Sequence, residues 1–461
     1  MIPLGEYLPD QPALGQHSSI AKNCVPASGY YAPFRSPVVY GAALTEKALG
    51  AFSAYTTAGM AYNFAGTDSY LYSDNSGTWE DVSVAGGYNT GTGRWEFCQF
   101  GQRVIATNGV EKPQSYVMGT STDFAALTTD DIIATTCAVV RGFVFFGNTT
   151  ESSVNYPNRV KWSALEDPTD YTVSTTTQSD FQDLYGETDA GKVIKVVGGE
   201  YATIFCERGI FRGTYVSGDL IFTFDQIINN LGTQAPGSVV AFGETIFFLG
   251  NTGFYALTPS GLVPIGEGKI NRTFFAELYT AEINKISAMT DPVNNLYIVA
   301  YPTESGTLSK VLVYNWVTQQ WTYAEPTDVD CLFRFAVSDT FSDPTGFSAA
   351  VETDTKKIVT FTGTGLEATI ETAERKFGPG KTLIRNVAPI VEGTTSQTTA
   401  YVGYRNTPNE TVSYTSGKTV NTEGECNLFN TARYQRVKLV IKGGFEKVYG
   451  VDVDFASVGG Y

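Results

Sequence analysis

A strand, a tight turn and a second strand recur along this chain at intervals of roughly 40–57 residues, and this spacing constrains the fold more than any other feature. Residues 95–101 and 103–109 form one copy, 137–142 and 143–148 a second, and 193–197 and 201–205, joined through Gly198-Gly199, a third. The clearest pairs 238–243 with 245–251. Looser copies flank these, so that turns fall at Gly59, Gly101, Gly142, Gly199, Gly243, Asn295 and Gly346. Within a unit a second hairpin follows. Residues 253–257 pair with 262–265 through Pro259-Ser260-Gly261, and 311–314 with 321–323 through Gln319-Gln320. Four short strands per unit are the content of a propeller blade. The turn count predicts a seven-bladed β-propeller over 47–364, or six blades if the last unit pairs elsewhere.

Composition supports an all-β chain: aromatic residues make up 13 % and charged residues 17 %, with 47 glycines among 461 residues. Such a chain has the apolar content for a sizeable core and the turn residues for many short strands. Two β-sandwiches would also give evenly spaced strands, but sandwiches do not usually repeat one aromatic-glycine hairpin. Near-continuous apolar runs such as 143–146 and 245–249 read as strands buried on both faces. Residues 270–282, with Phe274, Phe275 and Leu278 on one face and Asn271 as cap, read as the one short helix. The polar, acidic stretch 148–192 reads as a projecting loop on one blade.

Two regions lie outside the repeat. Residues 1–46 carry isolated anchors (Leu8-Pro9, Pro26, Tyr30-Tyr31, Phe34) among Pro and Gly, the pattern of an extended arm laid on a partner surface. On this reading, removal of residues 1–40 leaves the propeller folded and blocks assembly. Residues 365–461 alternate in longer strands (388–392, 399–405, 411–415, 434–443, 448–455), predicting a separate small antiparallel β domain with a hairpin or bulge at Gly443-Gly444.

Formal charge is −16, from 31 Lys+Arg against 47 Asp+Glu, which disfavours a basic groove for nucleic acid. Cys24, Cys98, Cys137, Cys206, Cys331 and Cys426 form no C-x-x-C pair and read as reduced, buried thiols of a protein folded in a cytoplasm. No apolar run reaches the roughly 18–20 residues of a membrane span, and the first residues lack the pattern of a signal peptide. His17 is the single histidine, so catalysis or metal binding built on several histidines is excluded. Glu166-Asp167 with Asp170 offers paired carboxylates of the kind glycosidases use, but sequence does not place them across a bond. Asp291-Pro292-Val293-Asn294-Asn295 and Asp343-Pro344-Thr345-Gly346 lack the ligand spacing of a calcium loop and read as turns. Gly266-Glu267-Gly268-Lys269 fails as a phosphate loop because Val263 stands where the first glycine belongs. Gln319-Gln320-Trp321 reads as a hairpin whose Trp covers the core. No catalytic, cofactor or metal residue is assigned, and no enzyme is expected.

Taken in order, Leu8-Pro9-Asp10-Gln11-Pro12, Arg94-Trp95-Glu96-Phe97, Val139-Val140-Arg141-Gly142-Phe143, Asn158-Arg159-Val160-Lys161-Trp162-Ser163, Gly199-Glu200-Tyr201-Ala202-Thr203-Ile204-Phe205, Leu231-Gly232-Thr233-Gln234-Ala235-Pro236-Gly237-Ser238 and Arg433-Tyr434-Gln435-Arg436-Val437 resemble the tail nozzle (tail hub) proteins of short-tailed phages (podoviruses), including the packaged-DNA stabilisation type. The motifs are individually short; their order and spacing agree over nearly the whole chain. The resemblance implies a virion structural protein with a propeller as main domain. In that family six copies form a ring below the portal and head-to-tail adaptor, tail fibres or spikes attach outside, and DNA passes through on ejection. It further implies assembly in the bacterial host cytoplasm and a final place in the virion tail. An acidic wall lets phosphates slide, and the stretch 180–189 is the expected source of its carboxylates. The competing reading is a propeller glycosidase or lectin acting on host surface polysaccharide.

Overall fold

Seven antiparallel blades of four strands follow one another around a ring in the computed structural model, which describes residues 1–458 except 13, 90, 92, 187–188, 337–346 and 394–396. They cover 50–81, 96–126, 132–183, 193–229, 240–264, 287–324 and 329–360. Each of the first six blades uses four consecutive strands. The seventh has three of its own and takes Val38–Ala43 as its fourth, with Val38 opposite Thr360 and Tyr40 opposite Ile358. The inner strand of the seventh blade packs against that of the first, which closes the circle. This is a seven-bladed β-propeller. The turn expected near Gly346 lies outside the described residues, but Phe335 and Phe347 pair on either side of it.

Packing between blades explains the continuous apolar runs. Leu296–Tyr301 is buried at every position, as are Phe143 to Gly147 within Phe143–Glu151. Such strands carry side chains toward the blade on each side. Phe205 of blade 4 meets Phe248 of blade 5 edge to face at 5.0 Å. Cys98 and Ile105 of blade 2 share a core with Val144 and Phe146 of blade 3. Trp95 enters the first seam only because Gly66 has no side chain: a Cβ there would sit 2.2 Å from the indole. The indole N–H then donates to the Thr67 carbonyl at 2.8 Å.

Five expectations change. Residues 148–192 are not a projecting loop, because Val154–Trp162 and Asp180–Asp183 are the outer strands of blade 3, polar on the face they turn to water. The helix is shorter than 270–282: it spans Asn271–Glu277, and a 3-10 segment, Thr280–Lys285, follows. Asn271 is not its cap. Asp10, more than 250 residues away in sequence, accepts the N–H groups of Arg272 and Thr273 at 2.8 Å, doing from a distance what a capping residue does locally.

The N-terminal residues do not wait for another surface. Ala21–Lys22 inserts between Gln320–Ala324 of blade 6 and Ala368–Glu371, so that blade 6 runs on into the C-terminal strands as one sheet. Cys24–Ala27 and Tyr30–Pro33 form a hairpin on Phe445–Ser457, and Ile2 pairs with Val451. The C-terminal region is therefore a two-sheet sandwich sharing strands with the arm and the propeller, not a detached domain. Its two sheets meet through Ile384, Val387 and Val448 on one side and Val402, Val437 and Leu439 on the other.

Tyr7, Tyr31 and Phe34 are each buried within this chain. At about 1.5–3 kcal/mol per large apolar side chain, their burial alone is comparable to the net stability of a typical domain, about 5–15 kcal/mol. Deleting residues 1–46 is thus expected to destroy the native propeller, the reverse of what an external arm implies. Thermal melting with a hydrophobic dye should show lost cooperativity and early dye binding; a truncated chain melting like the full one would refute the assignment.

Candidate functional site

The inner strands enclose a bore of about 310 Å³ on the propeller axis. Small residues (Gly50, Ala51, Ala241, Ala288) line part of its wall beside larger ones, among which Phe52 stacks on Phe97 at 5.9 Å. Charge enters from Arg94, Glu96, Lys195 and Arg334. Arg94 reaches from blade 2 to blade 6, donating to the Ile286 carbonyl at 3.1 Å and to Ser287 Oγ at 3.2 Å. Gly237 of the blade 4–5 link makes room for it, since a Cβ there would lie 2.8 Å from the guanidinium carbon. Glu96 and Lys195 form an ion pair that joins blades 2 and 4 past the intervening blade 3. Arg334 of blade 7 faces Asp291 of blade 6 at 3.5 Å. Arg94 and the Glu96–Lys195 pair run between blades that are not neighbours, so side chains cross the bore and leave no open path for a duplex.

The residues singled out by sequence fall apart as a site. Asp167 accepts the Thr169 N–H and hydroxyl, which hold its carboxyl below the usual range, and Asp170 accepts the Thr172 N–H. Both are turn-making roles. Asp291 does the same for Val293 and Asn294, leaving Asn295 at φ 59°. Asp343 to Gly346 lies outside the described residues. Gly266 offers its carbonyl, not its N–H, to the next turn, while Lys269 ties Glu6 at 2.7 Å and the Gln319 carbonyl at 2.6 Å. Trp321 is fully buried and donates to the Ile265 carbonyl at 2.8 Å. His17 lies against Gly15. All six cysteines are free and buried. Burial raises the Cys206 and Cys331 thiols to about 12, while a hydrogen bond with Cys137, reinforced by burial, raises Cys98. They are poor nucleophiles at neutral pH. Among the described residues no three His, Cys, Asp or Glu side chains are grouped to hold a metal ion.

Two acids of the stretch 180–189 form ion pairs within the subunit. Asp183 binds Arg159 at 2.7 Å, and Asp189 binds Arg208 at 2.5 Å. Glu151 completes a blade 3 network with Lys161 at 2.8 Å and Arg159 at 3.4 Å. The Arg159 guanidinium also lies 3.6 Å from the Tyr156 ring centre and 3.9 Å from that of Phe181. Sequence reading passed over this network, although Arg159 and Lys161, two apart on a strand, necessarily share a face.

No protein-family model matches the chain, and no curated protein matches it. Solved structures do. One, from a crystal structure of BBS1N with ARL6DN, is 12 % identical and covers 73 % of this chain and 97 % of its own, with a TM-score of 0.42. Another, from a mitotic checkpoint complex, is 7 % identical over 73 % and 97 %, TM-score 0.43. The Pan2 WD40 domain of Neurospora crassa is 9 % identical over 71 % and 95 %, TM-score 0.45.

Two outcomes test the charge assignments. Lys195→Met leaves a nearly buried Glu96 carboxylate unpaired and should cost about 3 kcal/mol in urea denaturation, whereas adding Glu96→Leu should restore most of it. Additive losses in the double variant would count against the ion pair. For Glu151, burial favours the neutral acid, but Lys161, Thr149 and Arg159 outweigh it and lower the pKa below 4.5. A depressed carboxyl stabilises the fold above its unfolded value and loses that contribution as pH falls through its folded one. Lys161→Met should therefore destabilise by about 1.5–3 kcal/mol at neutral pH and flatten the loss of stability below about pH 4.5. An unchanged acid limb would contradict this.

Proposed function

We propose that this chain is a structural subunit of the tail nozzle of a short-tailed phage, assembled as a ring with the head-to-tail adaptor above and fibres or spikes outside. The observation that carries the reading is where the resembling segments fall: apart from 158–163, on an outer strand of blade 3, they lie at joints of the scaffold. Residues 8–12 include Asp10, which caps the helix, and Gln11, which donates to the Gly268 carbonyl at 2.6 Å. Residues 94–97 supply Arg94 and Trp95 to the bore and the first seam. Residues 139–143 and 199–205 join blades 3 and 4 through Gly199 N–H to Val139 and Arg141 N–H to Gly199, both at 3.0 Å. Residues 231–238 join blades 4 and 5, with Thr233 donating from its backbone to Cys206 and from its hydroxyl to Leu249. Residues 433–437 carry Arg436, which binds Glu371 at 3.0 Å in the C-terminal sandwich.

Resemblance at the joints supports a shared framework, and shape is what a tail component contributes. The blocked bore means that DNA handled by such a ring passes between subunits, along their common axis, not through any one propeller. The net charge of −16 then disfavours retention of phosphates during transit. Virions of the encoding phage, purified and labelled with gold-conjugated antibody against this chain, should carry label at the tail. Chain absent from purified particles, or label confined to the capsid, would overturn the reading.

A further inference from the structure

Where blades 1 and 2 meet the closing strand Val38–Ala43, a groove of about 660 Å³ opens, a volume typical of small-molecule sites. Three tyrosines from three places in the chain line it: Tyr40, Tyr62 and Tyr116. Each ring is backed by another. Tyr40 lies 4.4 Å from Phe335, Tyr62 stacks on Phe64 at 6.2 Å with 13° between planes, and Tyr116 meets Phe64 edge to face at 5.4 Å. Among the described residues, the hydroxyls of these three tyrosines make no hydrogen bond.

Opposite them stands the hairpin turn that links Leu71–Asn75 to Thr78–Asp81. Ser76 and Gly77 both have positive φ, 54° and 89°, the geometry of the tight turn that suits strand twist. Asp74 Oδ1 accepts the Gly77 N–H at 2.8 Å, and Asn75 donates to Glu80 Oε1 at 2.8 Å. These bonds hold two carboxylates and an amide at the groove. Neither Lys nor Arg is among the lining residues.

This donor and acceptor set selects its ligand by charge. Phosphates and acidic sugars meet carboxylates with no compensating cation, and an apolar peptide would strip water from hydroxyls and carboxylates without replacing their hydrogen bonds. A neutral pyranose has what the groove lacks: apolar C–H faces to lie on fixed tyrosine rings and hydroxyls to donate to Asp74 and Glu80. We propose that the groove binds a neutral oligosaccharide. This goes beyond the tail reading and does not depend on it.

The test is frontal affinity chromatography of the intact protein on immobilised maltohexaose, mannohexaose, chitohexaose and rhamnose oligomers, with hexagalacturonate and single-stranded DNA as anionic probes. At least one neutral oligomer should be retained in preference to both anions. Tyr62→Phe combined with Glu80→Gln, which keeps the ring and alters an exposed carboxylate, should weaken retention about tenfold or more. Trp79→Phe, on the opposite face of the same strand as Glu80, should leave it unchanged. The proposal is overturned if no neutral oligomer is retained, if an anionic probe binds as well, or if the groove variant, verified as folded by its thermal melt, binds normally. A loss of retention in Trp79→Phe alone would move the site elsewhere and overturn it equally.

Discussion

A propeller blade that ended at Thr360 would leave a row of N–H and C=O groups on Lys357–Thr360 open to any passing strand, and Val38–Ala43 is what pairs with them. The rest of the ring leans on that pairing. Ala42 donates to the Gly77 carbonyl at 2.8 Å and Leu44 to that of Lys356 at 2.9 Å, so the closing strand ties blade 7 to the outer hairpin of blade 1. Gly41 permits the approach, since a Cβ there would lie 2.3 Å from the Gly77 oxygen. Deeper in the seam, Asn63 donates to Ala336 at 2.8 Å and accepts from its N–H at 2.9 Å. The same closure brings Tyr40 beside Tyr62, so the saccharide groove exists only in a closed ring.

What precedes the closing strand joins the propeller to the C-terminal sandwich. The joint is polar at its centre: Glu371 and Glu374, with fully buried side chains, meet Arg436, and Glu374 also binds Arg405 at 2.5 Å. Ser19 of the arm donates to Glu371 at 2.8 Å, and Tyr414 to its other oxygen. Two carboxylates against two guanidiniums balance in charge, and their bonds satisfy both carboxylates, which would be costly to leave alone, while Arg436 Nε has no partner among the described residues. Such a network adds directional demands to a core that hydrophobic packing alone leaves less specific. The position of Ser19, Glu371 and Arg436 relative to one another is set by this geometry.

Much of the charge inside the fold is paired. Acidic side chains near bases are consumed in blade 3 and in the C-terminal sandwich, and the bore is bridged by its own ion pair. The unpaired carboxylate excess is left for the outside, where it favours solubility and repels phosphate. Rigidity follows from the same facts: seven blades, each buried against two others, and termini woven into shared sheets leave few edges to move.

Local pattern reached the repeat because hairpins announce themselves locally. Gly101, Gly243 and Asn295 adopt the positive φ their turns require, at 57°, 58° and 59°, and the aromatic runs beside them mark strands buried between blades. The hairpin repeat and the burial of Trp321 and the cysteines were therefore legible in the sequence, whereas the choice of seven blades over six was fixed only when Val38–Ala43 completed the last blade. Pairings between distant segments carry no such mark. Ala21–Lys22 is two residues long and bridges strands roughly 300 and 350 positions away. Asp10 looks like a loop acid until the helix start lies over it, Glu96 and Lys195 meet only when blades 2, 3 and 4 curve about one axis, and Tyr40, Tyr62 and Tyr116 share a groove only after closure. Strand periodicity specifies which face of a segment is apolar; which other segment covers that face is a property of the folded chain, and only the tertiary structure decided it.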